Sequence, residues 1–148
     1  IDEALQINSL STWKLINRFE INSKIKKNKS FPRELWVNTS EAEIQPAFSP
    51  AYEISKRLIG QLVTLKWSRS EKDKLPGLII RKLVLGPFKS SLNPIGIMNA
   101  DFVANQIIKQ VEMKFILIVV SPNPITYILM PLVELIRVLY YKATIKYN

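Results

Sequence analysis

Two clusters of basic residues with aromatic neighbours are the segments of this sequence with the clearest chemical potential. Lys and Arg neutralise phosphate and aromatic rings stack on unpaired bases, so the combination indicates a surface that binds RNA. The alternative is a solvated surface with half-buried tryptophans. The predicted RNA-binding residues of the first cluster are Lys24, Lys26, Lys27, Lys29, Arg33 and Trp36, and those of the second are Lys66, Trp67, Arg69, Lys72, Lys74, Arg81, Lys82 and Lys89.

The overall charge agrees with this interpretation. The chain has 148 residues, with 21 Lys and Arg against 12 Asp and Glu, which gives a net charge of +9. Such an excess attracts polyanions, either the phosphates of a nucleic acid or an acidic lipid surface. The first cluster lies in a segment with few core residues, so we expect it to form an exposed basic arm that orders on RNA.

The sequence offers little for catalysis. It contains no Cys and no His, which excludes disulfides, thiolate or imidazole metal sites, and a Cys nucleophile or His base. The four glycines stand apart and form neither a phosphate loop nor a dinucleotide fingerprint. Glu41 and Glu43 lie in a polar segment and are interpreted as solvated charges. We therefore predict no catalytic residue, no metal site, no cofactor and no enzyme.

The amino-terminal half divides into three predicted parts. Residues 1–37 form an element that carries the basic arm, and the apolar alternation at 13, 15, 19 and 21 favours a strand, although Ile16 and Asn17 break the pattern. Residues 38–50 contain two prolines and are predicted to be a linker. Residues 51–148 form the core region, beginning with a helix that Ile54 and Leu58 indicate by their spacing.

The segment that follows contains a strand and the clearest helix of the sequence. "LIIRKLVLG" is rich in β-forming residues and ends at Gly86. Val103, Ile107 and Val111 recur every four residues after Asn99, a good N-cap, so we predict a helix over 100–114 with these side chains buried.

The stretch "FILIVVSPNPITYILMPLVELIR" from Phe115 to Arg137 has two interpretations. In lipid, prolines in the middle of an apolar run would leave backbone carbonyls without partners, so a strand, a turn and a helix are favoured over a membrane span. Pro131 should kink that helix or restart it. Glu134 is predicted to pair with Arg137, or with a base of a partner, and to face away from the apolar side formed by Leu132, Leu135, Ile136 and Leu139. Taken together, the elements predict an α+β fold of short strands with two C-terminal helices.

The segment "NADFVANQIIKQVEMKF" resembles the helix after the KH domain in the organellar members of the third small-subunit ribosomal protein family. The similarity is carried by Ala100, Val103, Ala104, Ile107, Gln110, Glu112 and Lys114, together with the phrase "NPIGI" at 93–97. The G-x-x-G loop of a KH clamp is absent, so the resemblance implies a divergent or split member that binds ribosomal RNA.

We accordingly predict an RNA-binding structural component of an organellar ribosome, with the small subunit favoured. Its partners would be ribosomal RNA and neighbouring ribosomal proteins. Heavy use of residues with A/T-rich codons points to an organelle, with the mitochondrial matrix favoured and a plastid as the alternative. Two rival interpretations stay open at this point. One is a subunit of an organelle membrane complex with 115–141 embedded in lipid, and the other is a fragment of a nucleic-acid enzyme.

Overall fold

The computed structural model describes residues 1–25, 33–69, 78–91 and 93–145. A first helix, α1, continues through a π-helical turn into α2, and three strands then alternate with helices. The elements are α1 Asp2–Leu5, the π-helical turn Gln6–Leu10, α2 Ser11–Ile25, β1 Arg33–Ser40, a 3-10 turn Glu41–Glu43, α3 Pro50–Trp67, β2 Leu78–Leu85, α4 Ala100–Glu112, β3 Leu117–Val120 and α5 Thr126–Ile145.

The three strands form a parallel sheet in the order β1-β2-β3. Parallel neighbours need long crossover connections, and α3 and α4 supply them between successive strands. The register pairs Ser40 with Leu85 and Leu85 with Val120, so the carboxyl ends of all three strands meet at one edge of the sheet. We call it the carboxyl edge.

Helices cover both faces of this sheet, because successive strand residues point to opposite sides. One face packs against α4, and its apolar cluster contains Leu83, Leu85, Val103, Ile118 and Val120. The other face packs against α2, α3 and α5, through residues that include Ile16, Val37, Ile59, Val63, Val84, Val119 and Met130. The predicted α+β class is confirmed.

Helix α4 confirms its prediction closely. The Asn99 side chain accepts a hydrogen bond from the Asp101 backbone N–H at 2.7 Å. Val103 is buried, and Ile107 and Val111 pack against the same cluster from partly buried positions. Lys114 adopts a positive φ of 63°, which ends the helical path just before Phe115.

The stretch from Phe115 onward is a strand, a turn and a helix, as predicted. The Ser121 hydroxyl accepts from the Asn123 backbone N–H at 3.0 Å, and the Asn123 side-chain Oδ1 accepts from the Ile125 backbone N–H at 3.0 Å. These bonds hold Pro122 and Pro124 in the turn between β3 and α5. Pro131 lies inside α5, which runs on to Ile145 without a restart. No helix within the described ranges has the length and apolar character needed to cross a membrane.

Two sequence predictions about helices are wrong. Residues 11–25 form α2 rather than a strand, and Ile16 and Asn17, which broke the alternation, face the rest of the protein. Helix α5 is also turned opposite to expectation: Glu134 is buried while Leu132 and Leu135 are exposed. The reason in the second case is a set of charged groups beneath α5.

Candidate functional site

Those predicted RNA-binding residues that the structure describes do not form one surface. Lys66 is buried, and its ammonium nitrogen lies 2.5 Å from Glu20 Oε2, 2.7 Å from Asn17 Oδ1 and 4.5 Å from the centre of the Trp13 ring. Arg69 contacts the same carboxylate at 3.5 Å. These two cations therefore attach α3 to α2 rather than presenting charge to a phosphate.

Arg81 is committed to a different partner on the α4 side of the sheet. Its guanidinium lies 2.6 Å from Glu34 Oε1, and Trp36 donates its indole N–H to Glu34 Oε2 at 2.9 Å. The hydrogen bond from Arg81 is the main cause that lowers the pKa of Glu34 to about 2, followed by the bond from Trp36. The same contact raises the pKa of Arg81.

The other described members of the two clusters lie apart from one another. Trp67 donates its indole N–H to the Ile80 carbonyl at 2.9 Å, and Lys89 is exposed near the carboxyl end of β2. Arg33 begins β1 and donates to the Asn22 carbonyl at 3.4 Å. Lys24 has its backbone in α2. Outside the described residues lie Lys26, Lys27, Lys29, Lys72 and Lys74.

Lys82 is the most unexpected of the set, because its side chain is 0% exposed. Its ammonium nitrogen lies 3.0 Å from Glu43 Oε2 and 2.8 Å from Glu134 Oε1. Arg137 contacts the same two carboxylates at 3.1 and 2.9 Å, and the Thr64 hydroxyl donates to Glu134 Oε2 at 2.5 Å. The predicted pairing of Glu134 with Arg137 is confirmed. We call Glu43, Thr64, Lys82, Glu134 and Arg137 the buried charge network.

The network balances two cations against two carboxylates in the space between β2, α3 and α5. Burial is the main cause that raises the pKa of Glu43, and the charge of Lys82 opposes it. A Cβ atom at Gly60 would lie 1.9 Å from Glu43 Oε2, so only glycine lets α3 approach this carboxylate. The interpretation of Glu43 as a solvated charge is wrong. Each charge is matched inside the protein, which fits a role in holding the elements together.

Glu41 and Glu43 belong to the same 3-10 turn, yet their side chains extend to different parts of the protein. Glu43 enters the buried charge network, while Glu41 reaches the carboxyl edge. There the Ser121 hydroxyl donates to Glu41 Oε2 in a short hydrogen bond, and the Thr126 hydroxyl lies 3.5 Å from the same oxygen. The network thus fixes the turn that positions Glu41.

Further polar groups join Glu41 at this edge. The Gln45 amide donates to the Thr126 hydroxyl at 2.5 Å, and the Asn123 amide donates to Gln45 Oε1 at 3.1 Å. The Tyr127 hydroxyl accepts from the Ser121 backbone N–H at 3.1 Å. We call this group the carboxyl-edge cluster, and its members are Glu41, Gln45, Ser121, Asn123, Thr126 and Tyr127.

The position of this cluster is chemically informative. Ligands of open parallel sheets bind in the crevice outside the carboxyl ends of the strands. Gly86 ends β2 there, and a Cβ atom at this position would lie 2.6 Å from Pro122 Cδ and 3.1 Å from Glu41 Oε2. Ser121 and Thr126 are buried, Gln45 and Asn123 are partly exposed, and Tyr127 is exposed. The cluster therefore has a fixed base and an accessible rim.

The donor and acceptor inventory of the carboxyl-edge cluster suits a polyhydroxylated ligand. Its amides and hydroxyls both donate and accept, and its carboxylate accepts only. Tyr127 adds an apolar ring face beside these polar atoms. Glu41 and Tyr127 are the two ionisable members, so they are the groups in the cluster that can exchange a proton with a ligand.

Comparison with known proteins gives one informative relative. The chain is 46% identical over 146 residues to the monoglucosyldiacylglycerol epimerase of Synechocystis sp.. The aligned region is 99% of this chain but 34% of that protein, so the chain spans about a third of its relative's length. No protein-family model matches the sequence, and no solved structure matches it.

This similarity corrects the predicted function. The relative is an epimerase, so the assignment to the ribosomal protein family is wrong, as are the non-enzymatic role and the partners named with it, ribosomal RNA and ribosomal proteins. The rival interpretation placed 115–141 in lipid, but this region is β3, a turn and α5, and no helix among these elements has the length and apolar character of a membrane span. The location in an organelle and the division at 38–50 stay predictions.

Sequence reasoning missed the carboxyl-edge cluster because its members come from two distant segments. Glu41 and Gln45 follow β1, whereas Ser121 and Thr126 flank the turn after β3. A pattern was present: polar residues directly follow strand β1 and the apolar strand β3, and a helix lies between each pair of successive strands. That pattern predicts a parallel sheet whose strand ends meet, but β1 was assigned to the end of a basic arm and to a linker.

Proposed function

We propose that this chain is part of an enzyme that epimerises the sugar headgroup of a glycosyl diacylglycerol, and that the carboxyl-edge cluster binds this headgroup. The observation that carries the proposal is the 46% identity over 146 residues to the monoglucosyldiacylglycerol epimerase. Because the aligned region is 34% of that protein, the roles assigned to this chain are limited to those that its own residues can fill.

The first role is to bind the sugar. A hexose offers several hydroxyl groups that each donate and accept hydrogen bonds, and a small number of well-placed polar groups in a concave site fixes the orientation of such a ligand. Gln45 and Asn123 are the partly exposed amides of the cluster, and their mutual bond of 3.1 Å leaves further donor and acceptor positions open to a ligand. Tyr127, 46% exposed, can cover one face of the ring.

The second role is to exchange a proton with the sugar. Glu41 is held by the Ser121 hydroxyl and by the turn that Glu43 anchors in the buried charge network. A carboxylate held in one orientation, with a second lone pair directed to a bound hydroxyl, can act as a general base. We therefore assign Glu41 as the group that accepts the proton of a sugar hydroxyl and Tyr127 as the neighbouring group that contacts the same sugar. Inversion also breaks and remakes the C–H bond of that carbon, so a hydride must pass to an acceptor outside the carboxyl-edge cluster and return to the other face of the carbon.

The test measures binding and turnover separately. The purified chain is titrated with a short-chain, water-soluble monoglucosyl diacylglycerol and, as a control, with the same diacylglycerol carrying a phosphocholine headgroup. We expect tighter binding of the glucolipid, and a loss of about fivefold to tenfold in affinity for Gln45→Ala, since a typical hydrogen bond contributes about 1 kcal/mol. Asn105→Ala, an exposed amide on α4, is the matched control.

Turnover is measured by incubating radiolabelled glucolipid with the chain and an added nicotinamide dinucleotide as hydride acceptor, and separating glycolipids of equal mass by chromatography. The proposal predicts a second glycosyl diacylglycerol with the same mass, and its loss in Glu41→Gln. Equal affinity for both headgroups, unchanged by Gln45→Ala, would contradict the assignment of the carboxyl-edge cluster.

A further inference from the structure

Helix α5 carries an exposed apolar stripe on the side opposite the buried charge network. We define the stripe as Ile128, Leu132, Leu135, Ile136, Leu139 and Tyr140, and these residues are between 53% and 74% exposed. The spacing of four, three and four residues from Ile128 to Leu139 places them along one line of the helix, about 16 Å long. Exposed apolar surface of this continuity marks a site of association.

The charge of α5 indicates which surface the stripe meets. Glu134 is the one acid in the helix, and it is 3% exposed and paired with Lys82 and Arg137. Lys142 is exposed, and at about 100° per residue it lies on the helix beside Leu135 and Leu139. The outer side of α5 is therefore apolar and positively charged, with no exposed carboxylate on the helix.

We propose that α5 lies in the interface of an anionic lipid bilayer, with its stripe among the acyl chains and Lys142 at the headgroups. Helices that lie in a membrane surface combine an apolar side with cationic residues, and anionic lipids attract the cations. The net charge of +9 favours the same surface over a neutral partner. The biological reason for this docking rests on the proposed function, since a diacylglycerol substrate resides in a bilayer. The experiments that test the docking do not depend on that function.

The start of the stripe lies next to the carboxyl-edge cluster. Thr126 and Tyr127 belong to the cluster, and Ile128 is the next residue along α5. A helix docked by its stripe would place the polar cluster at the level of the lipid headgroups, while the acyl chains of the same lipid remain in the bilayer. This arrangement gives a headgroup access to the cluster without extraction of the whole lipid.

The first experiment is co-sedimentation with vesicles of phosphatidylcholine, and of phosphatidylcholine with about one-third phosphatidylglycerol. We expect binding to the anionic vesicles that weakens as salt is raised. The triple variant Leu132→Gln, Leu135→Gln, Leu139→Gln should lose about a hundredfold in partition, because three half-exposed leucines no longer enter the apolar phase. A control triple on other exposed apolar residues, Ile97→Gln, Ile108→Gln, Met113→Gln, should change it less than about twofold.

A second measurement keeps the inference testable if a triple variant fails to fold. The sequence contains no Cys, so Leu135→Cys and Ile108→Cys each give one labelling position for an environment-sensitive fluorophore. Anionic vesicles should shift the emission of the label at 135 to shorter wavelength and leave the label at 108 unchanged. Equal shifts at both positions, or none at 135, would overturn the proposal.

The outcomes separate this proposal from the proposed function. If the label at 135 responds to anionic vesicles but the chain shows no preference for glucolipid, bilayer docking stands and the epimerase assignment fails. If the chain binds the soluble glucolipid but not the vesicles, the proposed function stands and bilayer docking fails. Dimers in sedimentation velocity without lipid, abolished by the leucine triple and accompanied by no vesicle binding, would overturn docking and assign the stripe to a second copy of the chain.

Discussion

Helices α4 and α5 pack on opposite faces of the same sheet and differ in the kind of residue that each of them buries. Helix α4 buries Val103 in an apolar cluster and leaves Asn105, Lys109 and Glu112 outside. Helix α5 places Glu134 and Arg137 against the buried Lys82 and leaves leucines outside. The cluster beneath α4 is apolar, although Arg81 is buried on the same face, whereas the space beneath α5 holds buried charges. The difference indicates that the α4 side is core, while the α5 side combines an internal network of charges with an outer surface built for association.

The largest expected effect comes from breaking the buried charge network. Lys82→Met removes the cation between Glu43 and Glu134 and leaves two buried carboxylates with only Arg137 between them. We expect a loss of about 3–5 kcal/mol in the free energy of unfolding, measured by urea denaturation, because uncompensated buried charges are costly. Lys109→Met, at an exposed position of α4, is the control and should change stability by less than about 0.5 kcal/mol. Equal effects would mean that Lys82 is not buried.

Gly60→Ala tests the close contact between α3 and Glu43. In an ordinary helix this substitution stabilises by about 1 kcal/mol, since Ala has the higher helix propensity. Here the added Cβ meets the Glu43 carboxylate, so we expect destabilisation by about 1–3 kcal/mol. A lower thermal unfolding temperature would support the close contact between Gly60 and Glu43, and a higher one would contradict it. Asn105→Ala, on the outer side of α4, should give a neutral or slightly stabilising change.

A direct comparison of the two helices uses one truncation on each. Val103→Ala removes buried methyl groups from the α4 cluster and should cost about 1–2 kcal/mol in the free energy of unfolding. Leu135→Ala removes a larger side chain from the exposed stripe of α5, yet it should cost less than about 0.5 kcal/mol in solution. If Leu135→Ala is the more damaging change, the stripe is buried in the folded protein.

The smallest effect is a pair of opposite pH dependences. The pKa of Glu34 is lowered to about 2, so its contribution to stability is present above its unfolded pKa and is lost as pH falls toward 2. The pKa of Glu43 is raised, so its protonated form favours the folded state, and that contribution is lost as pH rises through the raised pKa. On acidification, the free energy of unfolding of wild type should fall by about 1 kcal/mol or less relative to that of Glu34→Gln. Relative to that of Glu43→Gln, it should rise. If both differences changed with pH in the same direction, the opposite pKa shifts of Glu34 and Glu43 would be contradicted.

The sequence predicted the α4 side of the molecule better than the α5 side. Helix α4 was correctly predicted because its period, its Asn99 cap and its apolar side all agree with what it buries. The turn at Pro122 was correct because proline geometry acts locally. The orientation of α5 and the burial of Lys82 could not be predicted, since hydrophobic periodicity assigns leucine to the inside and charge to the outside. Helix α2 was missed because Asn17 and Glu20 face inward to meet Lys66, so polar inward contacts hid the helical period.

The similarity to one segment of a ribosomal protein helix failed for a related reason. Residues such as Val103 and Ile107 recur in α4 because any amphipathic helix on a sheet needs them, and they carry no information about function. The carboxyl-edge cluster does carry information about function, but its residues come from distant segments of the chain. Glu41 and Ser121, for example, are 80 positions apart. Only the parallel arrangement of the strands brings them together.

Pro131 has a consequence at the first turn of α5. Proline has no backbone N–H, so the carbonyl of Tyr127, four residues earlier, lacks the donor that an ordinary residue would supply. This carbonyl belongs to a residue of the carboxyl-edge cluster and precedes the first residue of the exposed stripe. The first turn of α5 therefore lacks one of the i→i+4 backbone hydrogen bonds that hold an ordinary helix together. This weaker point in the backbone ladder lies where the polar cluster ends and the exposed stripe begins.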